Sequence, residues 1–505
     1  MTAASALPLL VAVPLGLAGL TVIVRRHVVG VALLLATLVG TLVASALLVR
    51  HHAEVPALAT GVGGYAPGVA IPFVSDTLTA VMLAVTSLAT LATTAWLVLT
   101  GETRYRFFVP LVLLLLAGVY GALLTGDLFN LFVFVEVMLL PSYALIAVTG
   151  TWRRLGVGRL FVVVNLVTSA VLLMGVGLVY GTAGTVNIAA LAGQGSADGR
   201  SGLAVGIVLL ALGIKAGVVP VHTWLPRSYP ATSPGVMSLF AALHTKVALY
   251  AIYRIVSVIY DGQVPWVSVL VVVVVLTCLV GSLSTFGEQT FRHAMAYQMV
   301  AGVGHILIGV VVFTQVSLAG GLLYLVHHVI TMGGLLLTGG AIEHTYGSQR
   351  FDRLAGLMRR EPWAAAAVAL GLLSLVGLPP TSGLWGKLGL VIGAADAPGW
   401  QAWALIGAVV AASILSIMAL QRVWAEIFWG PPMERYRTDN AQTRLSEPVP
   451  LPDEVRIPLR LLLPGAALIA LSVAIFIGIG VLDPVIDRAA AGLVDPAPYV
   501  EAVLR

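Results

Sequence analysis

Residues 213–254 read GIKAGVVPVHTWLPRSYPATSPGVMSLFAALHTKVALYAIYR. An apolar run carrying Lys215 stops at Pro220, and a second apolar run carrying Lys246 begins near residue 236. Proline and glycine stand where a membrane-spanning helix would continue, so the first run reads as a broken helix. The break leaves nearby carbonyls without amide partners, to be met by water or by side chains. Water there gives Lys215 a proton source. Lys246 is mid-span and cannot easily snorkel to the interface.

The pattern recurs at 377–391, GLPPTSGLWGKLGLV, where Lys387 follows the Pro379–Gly383 break as Lys215 precedes its own. Lys215, Lys246 and Lys387 are the three lysines of the chain, and the rest of the 27 Lys+Arg residues are arginines. Arginine stays protonated at any physiological pH, whereas a desolvated lysine can lose its proton near neutrality. Three lysines kept at membrane depth, with arginines mostly between the apolar stretches, read as groups that gain and release protons.

Composition sets the class. The chain has 505 residues, 59% hydrophobic and 10% charged, with a mean hydropathy of +1.01. A soluble core cannot absorb that much apolar surface, so an all-α polytopic membrane protein is expected. Its 54 glycines suit close helix–helix contact in lipid. The single cysteine, Cys278, excludes a disulfide framework and a cysteine metal cluster. The isoelectric point near 9.4 reflects cytoplasmic arginines rather than nucleic-acid binding. Arg25 and Arg26 follow the first apolar run, and no positive n-region precedes it, so it reads as a retained helix. No phosphate loop, dinucleotide fingerprint, metal-ligand spacing or nucleophile elbow stands in the sequence, and neither cofactor nor metal is expected.

At ~20 apolar residues per crossing, fourteen spans are expected. They run near 5–24, 28–49, 76–99, 107–125, 128–149, 160–181, 203–220, 236–259, 265–286, 291–314, 318–341, 363–395, 400–427 and 458–482. Loops after odd-numbered spans carry Arg25, Arg26, Arg104, Arg106, Arg153, Arg154, Arg159, Arg227, Arg292, Arg350, Arg353, Arg359, Arg360 and a cluster from Arg422 to Arg460. Loops after even-numbered spans carry Arg50 and Arg200. This bias places the odd loops in the cytoplasm and both termini outside.

The broken spans, seven and twelve, lie five apart. Two five-helix repeats are therefore expected, inverted because each holds an odd number of helices, and each with one broken helix. Paired interruptions of this kind point to an ion site at the bilayer midplane. The division is 1–106 for spans 1–3, 107–259 and 265–427 for the repeats, 428–457 for a cytoplasmic loop, and 458–505 for span 14 and a tail.

Other ionisable residues join the lysines. Glu136 is mid-span in LFNLFVFVEVMLLPSY, where a lone carboxylate costs ~2.5–3.5 kcal/mol or more and needs a basic partner or a proton. His327 and His328, mid-span in LYLVHHVITMGG, suit proton hops near neutral pH. His244 and His305 are weaker candidates. Asp76 and Asp127 stand at span ends, where a helix N-terminus favours an acid, and could line an ion entrance.

GDLFNLFVFVEVMLLPSYALI at 126–146, the stretch 213–254 and SLVGLPPTSGLWGKLGLV at 374–391 together resemble the proton-conducting antiporter-like membrane subunits. That family holds the large pump subunits of respiratory complex I and the Mrp-type Na⁺/H⁺ antiporter subunits, and the Mrp-type branch is the nearer likeness. The resemblance covers about 107–427. It implies that Glu136 is the family's glutamate of the fifth helix, Lys215 the lysine of the broken seventh, Lys246 that of the eighth and Lys387 that of the broken twelfth. His328 matches the histidine of the eleventh. Relatives often carry lysine where this chain has Met332, a basic Lys-Arg pair and LAYSS-like stretch where it has FRHAMAYQMV, and a neutral or acidic residue where it has Arg227. The His327–His328 pair, or water, would then bridge the second half.

The resemblance implies a plasma-membrane subunit of a hetero-oligomeric antiporter, exchanging Na⁺ or another monovalent cation for protons through a buried Glu/Lys/His relay. Its partners would be the other subunits, the transported ions and the bilayer, with no nucleic acid. The alternatives are a pump subunit of a redox-driven quinone-reducing complex and a scaffold subunit with no transport of its own.

Overall fold

A computed structural model describes residues 3–66, 68–148, 152–437 and 447–505, with 152–155 described by backbone alone. Among these residues, twelve helices are long and apolar enough to cross a membrane. The other two expected spans are the shorter helix Phe108–Leu124 and the broken pair Pro362–Val376 and Gly383–Ala394. Every one of the fourteen expected spans thus corresponds to helix.

The two repeats show in helix length. Spans 4, 5 and 6 have 17, 20 and 32 residues, and spans 9, 10 and 11 have 18, 22 and 32. Spans 7 and 12 break in the same way. Helices Gly199–Ala216 and Pro362–Val376 end at glycines in the left-handed region, Gly217 at φ +86° and Gly377 at φ +91°. Both glycine amides fold back onto the last turn, Gly217 to Gly213 and Ile214, and Gly377 to Leu373 and Ser374. A residue with a β-carbon would be strained there, so glycine sets where each half-helix stops.

Polarity decides which spans sit centrally. Pro234–Val258 and Gln315–Tyr346, spans 8 and 11, are among the least apolar spans and their most apolar windows are wholly buried. Val267–Gly287, the most apolar span, faces outward over most of its surface. Lipid accepts only apolar side chains, so polar ones collect on helices surrounded by helices.

Four strands and two helices were not legible in the sequence. Strands Ala57–Gly61 and Pro72–Asp76 form an antiparallel hairpin after span 2. Two-residue strands, Arg435–Tyr436 and Val449–Pro450, pair within the loop expected at 428–457. Residues 438–446 of that loop and residues 149–151 lie outside the described residues. Span 14 ends at Ile477, and helices Ile479–Val494 and Ala497–Leu504 follow it where a tail was expected. Ile479–Val494 buries Ile486, Ala489, Ala490 and Leu493 on one face, the spacing of an amphipathic helix.

These C-terminal helices dock on span 8. Ser257 donates to the Leu493 carbonyl at 2.5 Å, and the Tyr499 ring covers the Arg254 guanidinium at 4.4 Å. Arg254 in turn pairs with Asp76 at 2.6 Å, both largely buried. Asp76 also caps span 3, accepting from the Thr79 amide at 2.9 Å. Asp127 caps span 5 through the Asn130 amide at 2.8 Å. Both aspartates therefore hold helix N-termini.

Candidate functional site

Glu136 lies on span 5, half-buried, and accepts a short hydrogen bond from the Ser169 hydroxyl of span 6. Lys215, on the last turn of the first half of span 7, donates to the same hydroxyl at 3.3 Å. Among the described residues, no ion pair joins Glu136 to Lys215 directly. The serine oxygen accepts from the ammonium while its proton goes to the carboxylate, so the two charges communicate through one hydroxyl.

Lys215 is not needed at the break's own carbonyls in the way expected of a merely structural lysine. The Trp224 indole N–H takes the Ile214 carbonyl at 3.0 Å. The end of a half-helix still favours a cation there, because its carbonyl dipoles point outward.

His244 lies on span 8, which packs against the first half of span 7. Its Nε2 contacts Ser142 at 2.8 Å and its Nδ1 contacts the Tyr229 hydroxyl at 3.3 Å. Phe240 packs on its ring at 4.5 Å between centroids. Two residues on, Lys246 is wholly buried and donates to its neighbour Thr245 at 3.1 Å. No carboxylate pairs with it among the described residues.

The second half continues on span 11. That span packs against span 8, which carries Lys246, and against span 12, which carries Lys387. His327 and His328 are fully buried. His327 Nδ1 contacts Ser382 at 3.0 Å, Thr331 at 3.2 Å and Ser374 at 3.3 Å. The His328 ring faces the backbone of Gln298 on span 10. Met332, buried, fills the position one turn beyond His328.

Lys387 closes the series. Its ammonium donates to the Val376 carbonyl, at the end of the first half of span 12, at 2.9 Å and to Ser413 of span 13 at 2.8 Å. Gly377 makes room for its stem, since a β-carbon there would fall 2.7 Å from Lys387 Cδ. Here the lysine does satisfy a break carbonyl. The fold therefore brings Glu136, Lys215, Lys246, His328, His327 and Lys387 onto a connected series of spans, with 5 and 7 packed on 8, 8 on 11 and 11 on 12.

Residues 125–416 match the family described as the NADH:quinone oxidoreductase/Mrp antiporter membrane region. The chain belongs to this family. Within it, the chain is 34% identical over 410 residues to a Na(+)/H(+) antiporter subunit of Bacillus subtilis, covering 80% of each. It is 32% identical over 416 residues to the protein of the same name from Alkalihalophilus pseudofirmus, covering 81% of this chain and 80% of that one. A chain in the structure of the Mrp complex from Dietzia sp. DQ12-45-1b superposes with a TM-score of 0.95, at 43% identity and full coverage of both.

Partners of the charged groups in this NADH:quinone oxidoreductase/Mrp antiporter family member escaped sequence reasoning. Ser169, Thr245 and Ser413 each hold an ammonium, and Ser374, Ser382 and Ser472 gather near His327. Hydroxyl residues are tolerated anywhere in a membrane helix, so nothing in their spacing singled them out. Among the described residues, no group of three or more His, Cys, Asp or Glu side chains is placed to hold a metal ion.

Proposed function

We propose that the protein is a membrane subunit of a multisubunit antiporter exchanging Na⁺ or another monovalent cation for protons. Protons pass along Glu136, Lys215, Lys246, the His327–His328 pair and Lys387. One observation carries the reading. The three lysines are buried, and their partners are hydroxyls and a carbonyl rather than carboxylates. A lysine so held can release its proton without stranding an unpaired buried anion. Glu136 stabilises the charged state of Lys215 through Ser169, and desolvation favours the neutral state. Full-length likeness to a chain of an Mrp complex favours antiport over a redox-driven pump.

The units 107–259 and 265–427 each carry one half of this path in the proposed arrangement, with the loops after odd-numbered spans in the cytoplasm and both termini outside. The test is reconstitution of the whole complex in proteoliposomes with an imposed Na⁺ gradient and a reading of internal pH. Lys215→Arg keeps the charge and removes the releasable proton. It is expected to abolish Na⁺-driven pH change, and wild-type exchange by this variant would end the proton-carrier role.

A further inference from the structure

The buried histidines of spans 8, 10 and 11 differ in the kind of partner they have. His305 Nδ1 lies 2.8 Å from the Ala301 carbonyl. A carbonyl can only accept, so that nitrogen keeps its hydrogen. His244 Nε2 faces Ser142, whose own proton goes to the Met138 carbonyl at 2.7 Å. With its proton on that carbonyl, Ser142 accepts, and the arrangement favours a hydrogen on His244 Nε2. In each of these two rings a backbone carbonyl, directly or through one serine, favours one tautomer.

His327 differs. Its Nδ1 faces hydroxyls that close on one another. Ser382 is 2.8 Å from Ser472, Ser472 is 3.0 Å from Ser374, and Ser374 is 3.0 Å from Thr331. Thr331 and Ser382 return to Nδ1 at 3.2 and 3.0 Å. All five side chains are fully buried. None of the four hydroxyls has a backbone carbonyl as acceptor among the described residues. Each hydroxyl can therefore turn from donor to acceptor, and the ring can serve Nδ1 with or without its hydrogen. A histidine that passes protons needs partners of this kind, because a fixed acceptor penalises one of its two states.

The ring draws on three spans. Thr331 comes from span 11, Ser374 and Ser382 from the two sides of the break in span 12, and Ser472 from span 14, outside both repeats. Span 14 also clamps the break. The Ser382 amide donates to the Ser472 carbonyl at 3.1 Å, and the Trp385 indole N–H donates to the Phe476 carbonyl at 3.1 Å.

We propose that this hydroxyl ring, closed by Ser472, passes protons in the second half of the relay and that His327 is the histidine that changes protonation in it. The inference rests on the proposed antiport reading. A proton arrives at His327 Nε2, which is buried with no other partner among the described residues. The Nδ1–H bond breaks as an O–H bond forms on Ser382. Ser382 passes its former proton to Ser472, Ser472 to Ser374, and Ser374 releases one to a water molecule on the side of Lys387. The imidazole is then neutral again with its hydrogen on Nε2, and no charge stays in the ring.

Ser472→Thr and Ser472→Val test it, since the two side chains share a shape and differ in the hydroxyl. Na⁺-driven pH change is read in everted vesicles carrying the whole complex, at matched assembly, beside Lys215→Arg. Ser472→Val is expected to lower flux about tenfold, and Ser472→Thr to stay within about twofold of wild type, the effect of one hydrogen-bonded link. Thr331→Val, also isosteric, is expected to fall as Ser472→Val does, and it decides the matter alone if Ser472→Val fails to assemble. Wild-type flux in either valine variant, with Lys215→Arg inactive, overturns the ring. Wild-type flux in Lys215→Arg overturns the antiport reading itself, whatever the ring variants do.

Discussion

Glu136 and Lys215 do not touch. One serine hydroxyl, that of Ser169, stands between carboxylate and ammonium. Without it carboxylate and ammonium face each other across a gap, and the lysine loses the group through which the carboxylate acts on it. Ser169→Ala should lower Na⁺-driven proton flux about tenfold, whereas Ser169→Thr should retain most of it. Flux in proteoliposomes at equal assembly measures both, and equal activity of the two variants would make Ser169 a spacer.

Glu136→Gln removes the charge and keeps the shape. It should lose exchange, while Glu136→Asp should keep part of it, because a carboxylate one methylene shorter weakens the link to Ser169 without deleting it. The same vesicle assay separates the two, and normal exchange by Glu136→Gln would leave this residue a structural contact.

Gly302 of span 10 lies against His328. A β-carbon at Gly302 would fall 2.1 Å from His328 Nε2, a distance at which something must move. Gly302→Ala should destabilise the subunit by ~1–3 kcal/mol and displace the imidazole. Thermal unfolding of the purified complex reads the first effect and proton flux the second. Unchanged stability would mean that span 10 slides to make room.

Arg254 is paired with Asp76 at 2.6 Å beneath the Tyr499 ring, with the arginine 2% exposed. Removing one member leaves the other buried and uncompensated. Asp76→Asn should therefore destabilise the subunit by ~3–5 kcal/mol. Tyr499→Ala, which uncovers the guanidinium, should cost ~1–2 kcal/mol through lost cation–π and packing contact. Denaturant titration of the detergent-solubilised complex ranks them, and an Asp76→Asn variant as stable as wild type would contradict the pairing.

Arg353 is exposed after span 11, and Glu501 is exposed on the last helix. With the buried Cys278 replaced by alanine, Arg353→Cys should react with an impermeant maleimide in everted vesicles and not in intact cells. Glu501→Cys should do the reverse. The opposite pattern would invert the proposed topology.

Span number, span order and the two breaks were legible because each rests on a local property. An apolar run long enough for the bilayer announces itself, and proline and glycine interrupt it wherever they stand. The charged members of the proposed relay were singled out for a related reason. A lysine or glutamate at membrane depth costs enough that its presence alone marks the position. The hairpin Ala57–Gly61/Pro72–Asp76 and the helix Ile479–Val494 were not, since both are short and neither repeats a membrane-length pattern.

The hydroxyl partners were decided by tertiary structure alone. Ser169, Ser472 and Thr331 look like other serines and threonines of apolar helices, because such residues sit in lipid at little cost by bonding their own helix. What distinguishes them is the rotation and packing of spans 6, 11, 12 and 14, which turns Ser169 toward Glu136 and Lys215 and closes Ser472 onto Ser382 and Ser374. By itself, the sequence determined which groups carry charge inside the membrane. Helix packing decided which hydroxyl each of them reaches, because a hydrogen bond depends on ångström distances that no spacing along one helix sets.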